Sequence, residues 1–187
     1  MYHIIKPGKV IRDGERILFA SSSVTLILDE FPLIVDTALR SEWNEIEKGL
    51  ENVKVSADEV EMVINTHLHA DHTGCNSMFR CDKFAHRLAI KYAGAKEYKE
   101  CPKRISKNVR IIDTPGHCKG HISVVYKGDE TVVIAGDAIP TRDNFIKRLP
   151  PRIHIDREAA MRSFAEIEKI ADVIVPGHDE VIRTHFR

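Results

Sequence analysis

The sequence has little of what marks a disulfide-rich, membrane-spanning or polyanion-binding protein. Four cysteines in 187 residues form no Cys-x-x-Cys pair, which argues against a secreted disulfide scaffold. No apolar run approaches the length that crosses a bilayer. The 28 basic and 28 acidic residues cancel, so no global field attracts nucleic acid or a membrane surface.

Length and composition predict one globular domain spanning residues 1–187, because 43% of the residues are hydrophobic and 30% are charged. The mixture of strand-like and helix-like runs described below is typical of the α/β class. The first twenty residues are interrupted by charges, Pro7 and two glycines, and do not resemble a signal peptide. We therefore expect a cytoplasmic protein without a membrane segment.

The charges are unevenly distributed along the chain. Residues 29–61 carry ten acids against three bases, and residues 80–110 carry ten bases against three acids. Such runs are typical of solvated faces, which disfavours nucleic acid as a partner. A basic rim beside an active site would instead favour an anionic small-molecule substrate.

Four metal-binding side chains fall within six residues, in the order His67-x-His69-x-Asp71-His72. Imidazole and carboxylate ligands together suit Zn²⁺, Fe and Mn²⁺. The apolar run before them, 60–64, has the character of a short buried strand. We expect the four side chains to converge on the loop that follows this strand, because within a strand they would alternate between opposite faces.

Three later segments repeat the arrangement of a β-branched apolar run, a turn and one metal-binding side chain. They end in His117, Asp137 and His178. The candidate metal ligands are therefore His67, His69, Asp71, His72, His117, Asp137 and His178. Seven ligands are too many for one four-coordinate ion and suit two ions.

The motif order H-x-H-x-D-H, T-P-G-H, G-D and P-G-H resembles the metallo-β-lactamase superfamily, which includes glyoxalase II, lactonases and metal-dependent nucleases. The resemblance implies a four-layer αβ/βα sandwich with its metals at one edge of the sheets. It also implies a first ion held by His67, His69 and His117. A second ion would be held by Asp71, His72 and His178, with Asp137 bridging the two.

The chemistry implied by two such ions is hydrolysis by a metal-bridging hydroxide. We expect two divalent cations, with Zn²⁺ favoured and Fe or Mn²⁺ also compatible with the ligands. Asp71 is the candidate catalytic residue, because it could orient the nucleophile or pass a proton to the leaving group.

A small ester, thioester or lactone is the favoured substrate. Asp137 occupies the bridging position where some β-lactamases have Cys, which disfavours antibiotic hydrolysis. Family lactonases usually have Tyr three residues after the bridging Asp, where this chain has Pro140. The alternatives are a phosphodiesterase or ribonuclease and an iron-dependent persulfide dioxygenase. A non-enzymatic binding protein is disfavoured, because a protein that serves only as a scaffold does not need seven convergent metal ligands.

The spacing of apolar and capping residues along the chain also predicts individual strands and helices. Strands are expected at 4–12 and 17–29, a helix capped by Ser41, a basic helix over 87–98 and a final helix that begins at Asp156. Asp36 is either a support behind the metal ligands or an ordinary turn residue. We expect Cys118 to be a pocket-wall thiol, and His121 to be hydrogen-bonded behind the ligands.

Overall fold

The computed structural model describes residues 1–184. Its strands are β1 (Tyr2–Lys6), β2 (Lys9–Asp13), β3 (Arg16–Ser21), β4 (Val24–Leu28), β5 (Pro32–Val35), β6 (Met62–Ile64), β7 (Asp82–Ala85), β8 (Tyr98–Glu100), β9 (Val109–Asp113), β10 (Ile122–Lys127), β11 (Thr131–Gly136), β12 (Val173–Pro176) and β13 (Ile182–Arg183). Its α-helices are α1 (Trp43–Asn52), α2 (Ala70–Thr73), α3 (Arg87–Ala93), α4 (Arg142–Ile146) and α5 (Arg157–Ile170).

Two mixed sheets form the centre of the molecule. The first has the order β1-β4-β5-β6-β7-β8, in which β5 to β8 run parallel. The second has the order β13-β12-β11-β10-β9, with β11 and β12 parallel. Strands β2 and β3 pair only with each other and form a separate hairpin.

Three apolar clusters separate four layers. The central cluster joins the inner faces of the two sheets, for example Val35 and Ile64 with Val124 and Ile134. The outer clusters pack α1 on the first sheet and α5 on the second. This is the four-layer αβ/βα sandwich predicted from the sequence.

Helix α5 shows how the sequence pattern specifies this packing. Asp156 accepts a hydrogen bond from the amide of Ala159 and begins the helix, as predicted. Phe164 and Ile167 lie on the buried face, and burial of each such side chain contributes about 1.5–3 kcal/mol.

The two long strands predicted near the N-terminus are each broken, and this prediction was wrong. Pro7 has no amide hydrogen for a sheet, and Gly8 packs against the backbone of Gly177, where a side chain would not fit. Ser22 and Ser23 leave the ladder to bond the backbones of Asp71 and Gly177. These breaks allow the β2–β3 hairpin to lie beside the metal-binding edge.

Two helix predictions also need correction. Ser41 does not cap α1, because it lies inside a 3₁₀ turn at Arg40–Glu42 that precedes the helix. The basic helix ends at Ala93 because Gly94 adopts a left-handed conformation (φ 64°), and the chain then continues into β8.

The carboxyl ends of β5, β6, β9, β11 and β12 meet at one edge of the sandwich. Each leads directly into a segment that holds a candidate ligand or its support. Rigid strands thus place side chains from distant parts of the chain in one region. Among residues 1–184, no helix is both long and apolar enough to cross a membrane.

Candidate metal centre

All seven predicted ligands meet at this edge. Their ligand atoms form three overlapping groups, within each of which all atoms lie within 4.8 Å of one another. The groups are His67, His69 and His117; His67, His72 and Asp137; and Asp71, His72 and His178. Asp71 and His72 lie on the short helix α2, which corrects the expectation of an irregular loop.

The first group is a triangle of imidazole nitrogens. His69 Nδ1 lies 2.9 Å from His67 Nε2 and 3.1 Å from His117 Nε2. Ligands about 2.0–2.1 Å from a tetrahedral zinc ion lie about 3.3 Å from each other. The three nitrogens therefore have nearly the spacing that a metal ion requires.

Asp137 lies between the first group and the group of Asp71, His72 and His178, which is called the second group from here on, and it presents a different oxygen to each. Its Oδ2 is 3.4 Å from His117 Nε2. Its Oδ1 is 3.0 Å from His178 Nε2 and 3.5 Å from His72 Nε2. Asp71 completes the second group, with Oδ2 3.7 Å from His178 Nε2.

Two of these atoms are buried without an aligned hydrogen-bond partner: His72 Nε2 and Asp137 Oδ1. Although Asp137 Oδ1 is close to two imidazoles, the contacts lack hydrogen-bonding geometry. Buried polar atoms are almost always satisfied, and an orphaned one costs about 1–3 kcal/mol. A cation between the two atoms would satisfy both, so the residues fit a metal centre.

The opposite ring nitrogens are held by the fold. Nδ1 of His117 lies 2.7 Å from the carbonyl of Ile153, and Nδ1 of His178 lies 3.0 Å from the carbonyl of Ser21. A carbonyl only accepts, so each ring donates through Nδ1 and keeps the lone pair of Nε2 for the centre.

Asp36 holds the Nδ1 atom of His72 in the same way. Its Oδ2 lies 2.8 Å from His72 Nδ1, and it also accepts from the hydroxyl of Thr66, while Oδ1 accepts from the Thr66 amide. Asp36 is 2% exposed, and these contacts give both of its carboxylate oxygens a hydrogen-bond donor. The structure therefore favours support behind the ligands over an ordinary turn.

His121 lies buried behind Asp137, as expected. Its Nε2 accepts a hydrogen bond from the Asp137 amide, and its Nδ1 lies 2.8 Å from the Thr114 hydroxyl. Burial, followed by the neighbouring His117, lowers the pKa of His121 to about 3. The ring is therefore neutral, as acceptance at Nε2 requires.

Gly177 lets the backbone approach Asp137 closely. A Cβ at this position would collide with Asp137 Oδ1, the atom that faces the second group. The turn Pro176-Gly177-His178 thus needs glycine for the position of the carboxylate.

A pocket of about 290 Å³ opens onto the ligands. Besides five ligands it is lined by Val10, Arg12, Ile17, Ala20, Pro140, Pro151, Arg152 and Ile153. The volume is at the lower end for small-molecule sites. None of the basic residues of 80–110 lines this pocket.

Cys118 lies in the wall of an adjoining cavity that shares His69 with the metal pocket. Burial, aided by the charge of Asp137, raises the pKa of the thiol to about 12. The thiol is therefore protonated at neutral pH and is a wall residue, as expected, with no sign of activation.

Sequence reasoning missed the two arginines of the pocket and the carbonyls of Ser21 and Ile153. Arg12 lies on the detached hairpin, and backbone carbonyls leave no sequence signal. Asp36 had a signal, since it follows the apolar run of β5 just as the ligands follow theirs.

The family model described as the metallo-beta-lactamase superfamily matches residues 17–81 and 96–178. These residues include all seven ligands and most of both sheets. The chain belongs to the metallo-beta-lactamase superfamily.

Relatives and structures agree with the superfamily assignment. A probable metallo-hydrolase of Methanocaldococcus jannaschii is 36% identical over 156 residues, which cover 80% of this chain and 72% of that protein. An N-acyl homoserine lactonase of a Bacillus species is 27% identical over 160 residues, or 74% of this chain and 64% of the lactonase. The fold matches a probable metal-dependent hydrolase from Staphylococcus aureus with a TM-score of 0.79, at 13% identity, over 98% of this chain and 91% of that one.

Membership of the superfamily confirms the predicted class: the chain is a metal-dependent hydrolase, and its histidine–aspartate cluster is suited to divalent cations. Histidine binds a metal as a neutral ring. Burial, followed by neighbouring imidazoles, lowers the pKa of His67 and His69, so both rings are neutral at neutral pH.

The candidate ligands of the second group have the opposite electrostatics. Burial disfavours the charged forms of His72 and His178, but nearby carboxylates outweigh it and raise the pKa of both rings. For Asp137, burial would raise the pKa, yet His178 and His72 hold it well below its usual range. Asp137 is therefore ionised at neutral pH.

Proposed function

We propose that this hydrolase uses two divalent cations to cleave a small ester, thioester or lactone. The observation that carries the proposal is the position of Asp137, whose two oxygens face two separate groups of ligand atoms. A carboxylate placed in this way can bind two cations at once.

The first cation would be held by Nε2 of His67, Nδ1 of His69, Nε2 of His117 and Oδ2 of Asp137. The second would be held by Oδ2 of Asp71, Nε2 of His72, Nε2 of His178 and Oδ1 of Asp137. The orphaned atoms His72 Nε2 and Asp137 Oδ1 both belong to the second set, which supports its occupation by a cation.

Two bound cations, of which Zn²⁺ suits the ligands best, would supply a water of lowered pKa and a Lewis acid for the carbonyl. The side chain of Asp71 is 23% exposed and lines the pocket. It is therefore placed to accept a proton from the attacking water and return it to the leaving oxygen or sulfur.

The pocket and the relatives support the substrate class. The Bacillus relative is an N-acyl homoserine lactonase, which favours an acyl ester or lactone for this chain. Pro140 lines the pocket in place of the Tyr of that family pattern, so the wall offers no phenol here. We therefore propose the broader class of small acyl compounds.

A single-iron dioxygenase is less consistent with this site. Such an enzyme would need only His67, His117 and Asp137. The fold also holds His72 and His178 in place, through Asp36 and the Ser21 carbonyl. Support for both rings indicates that both are used.

Metal analysis tests the proposal directly. We expect two divalent ions per chain, and one after His178→Ala, because the first group stays complete. His3→Ala, which removes a histidine from β1 outside the site, is the matched control and should keep two. One tightly bound ion in both the wild type and His178→Ala would refute the dinuclear site.

A separate assay with a panel of ester, lactone, thioester and phosphodiester substrates would show which type of bond the protein cleaves.

Acidification should remove the two cations in sequence. The pKa values of His72 and His178 are raised above the ordinary value of about 6.5, so protons begin to compete with the second cation at a higher pH than with the first. The first cation should persist to lower pH, because the pKa values of His67 and His69 are lowered. Equilibrium dialysis with metal analysis at stepped pH should show two separate losses, and a single joint loss would contradict this order.

A further inference from the structure

The polar side chains that line the metal pocket are of two kinds, candidate metal ligands and arginines. Apart from the metal ligands, its wall consists of six apolar residues and two arginines. No acid and no neutral hydrogen-bonding side chain of the described residues lines it outside the ligand set. A polar group of a substrate that does not reach the metals therefore finds side-chain partners only in these two guanidinium groups.

The two arginines differ in how far their charge is neutralised. Arg152 Nη2 lies 2.7 Å from Glu15 Oε2, an ion pair that connects the tip of the β2–β3 hairpin to the loop before α5. Arg12 forms no ion pair and no side-chain hydrogen bond with any residue in the described range 1–184. Arg12 is exposed to solvent at the mouth of the pocket, and its positive charge has no protein counter-ion among these residues.

The register of the hairpin directs Arg12 to the pocket. Arg12 is paired with Ile17, and Val10 with Ala20; all four line the cavity. The next pair, Asp13 with Arg16, projects from the opposite face because side chains alternate along a strand. The nearest acid in sequence therefore faces away from the guanidinium of Arg12.

From these observations we propose that the substrate carries an anionic group, remote from the bond that is cleaved, and that Arg12 binds this group. This inference rests on the proposed function and narrows its substrate class to negatively charged acyl compounds. A guanidinium binds carboxylate or phosphate oxygens with two parallel hydrogen bonds. The apolar wall would accommodate the carbon chain between the anion and the reacting carbonyl.

Matched ester pairs test the assignment. The probes are 4-nitrophenyl monoesters of glutaric, adipic and suberic acid, each compared with the neutral 4-nitrophenyl ester of the same acyl length. Wild-type protein should prefer the anionic member of at least one pair. Arg12→Ala should lower kcat/KM for that anionic ester about ten- to hundredfold, mainly through KM, and change the neutral ester by less than about twofold.

The controls separate charge from folding. Arg16→Ala removes the same side chain from the other face of the hairpin and should leave the preference unchanged. Arg12→Lys should retain part of it, because the charge remains while the paired hydrogen bonds are lost. Metal content should equal that of the wild type in all three variants. Equal losses for both esters of a pair, or no wild-type preference at any length, would overturn the proposal.

A binding measurement distinguishes failure of this inference from failure of the proposed function. Calorimetry compares each dicarboxylate product with the monocarboxylate of equal length, and needs no turnover. Tighter binding of the dicarboxylate that disappears in Arg12→Ala would support the anion site even if no ester were hydrolysed. If both esters are hydrolysed and Arg12→Ala changes neither the kinetics nor the binding of the dicarboxylate, the anion site is rejected. The proposed hydrolase function would then still stand.

Discussion

Replacement of Asp137 with Asn is expected to abolish hydrolysis and to lower the metal content of the protein. Asn keeps the shape but removes the negative charge that would offset two dications, and one of its two donor atoms becomes an amide nitrogen that cannot bind a metal. Loss of a group that only orients a ligand typically costs 10–100-fold in metal affinity or activity. Loss of a ligand that two cations would share, as proposed above, should therefore cost more than about a hundredfold.

The fold should survive this change. Asp137 follows β11 and is not part of the apolar clusters, and Asn occupies the same volume. Asp143→Asn is the control, since Asp143 is an exposed residue of α4 that pairs with Lys147. Circular dichroism should be unchanged in both variants. Two bound metals and near wild-type turnover in Asp137→Asn would show that this residue does not bridge.

The position of the site was predictable because the fold repeats one local rule. An apolar β-branched run ends in a turn and then a ligand, as in β9 before His117 and β12 before His178. The carboxyl ends of strands that run in the same direction lie at one edge of a sheet. Residues that follow such strands are therefore expected to lie close together. Asp36 after β5 obeys the same rule and should be included in it.

The pocket wall was not predictable, because it depends on where the β2–β3 hairpin lies. The sequence of this hairpin reads as a continuation of β1 and β4. Its separation comes from Gly8 packing on Gly177, a contact between segments that are far apart in sequence. That contact, with the hydrogen bonds of Ser22 and Ser23, brings Arg12 to the pocket, which is why the basic run 80–110 was the wrong place to seek a basic rim.

Replacement of Asp36 with Asn should selectively weaken the binding of the second cation. Asp36 accepts three hydrogen bonds, from the Thr66 amide, the Thr66 hydroxyl and His72 Nδ1. An amide offers one oxygen and one NH₂ group in their place. Whichever way the Asn side chain is turned, a donor faces a donor. Asn tolerates the positive φ of 57° at this position at least as well as Asp, so no backbone strain is added.

The orientation with the NH₂ group towards His72 has a specific consequence for the metal centre. His72 Nδ1 would have to become an acceptor, which moves the ring proton to Nε2, the atom that faces Asp137. A protonated Nε2 cannot bind a cation, so affinity for the second metal should fall about 10–100-fold. The alternative orientation leaves the Thr66 amide unsatisfied and should cost about 1–3 kcal/mol of stability.

Metal titration and thermal unfolding of Asp36→Asn distinguish these outcomes from no effect at all. The first cation should bind with wild-type affinity, because His67, His69 and His117 are untouched. Asp82→Asn, at an exposed residue that pairs with Lys99, is the control for an Asp-to-Asn change outside the site. A variant that binds both cations as tightly as the wild type and is equally stable would mean that Asp36 does not set the proton position of His72. The carboxylate would then be a structural residue of the turn after β5.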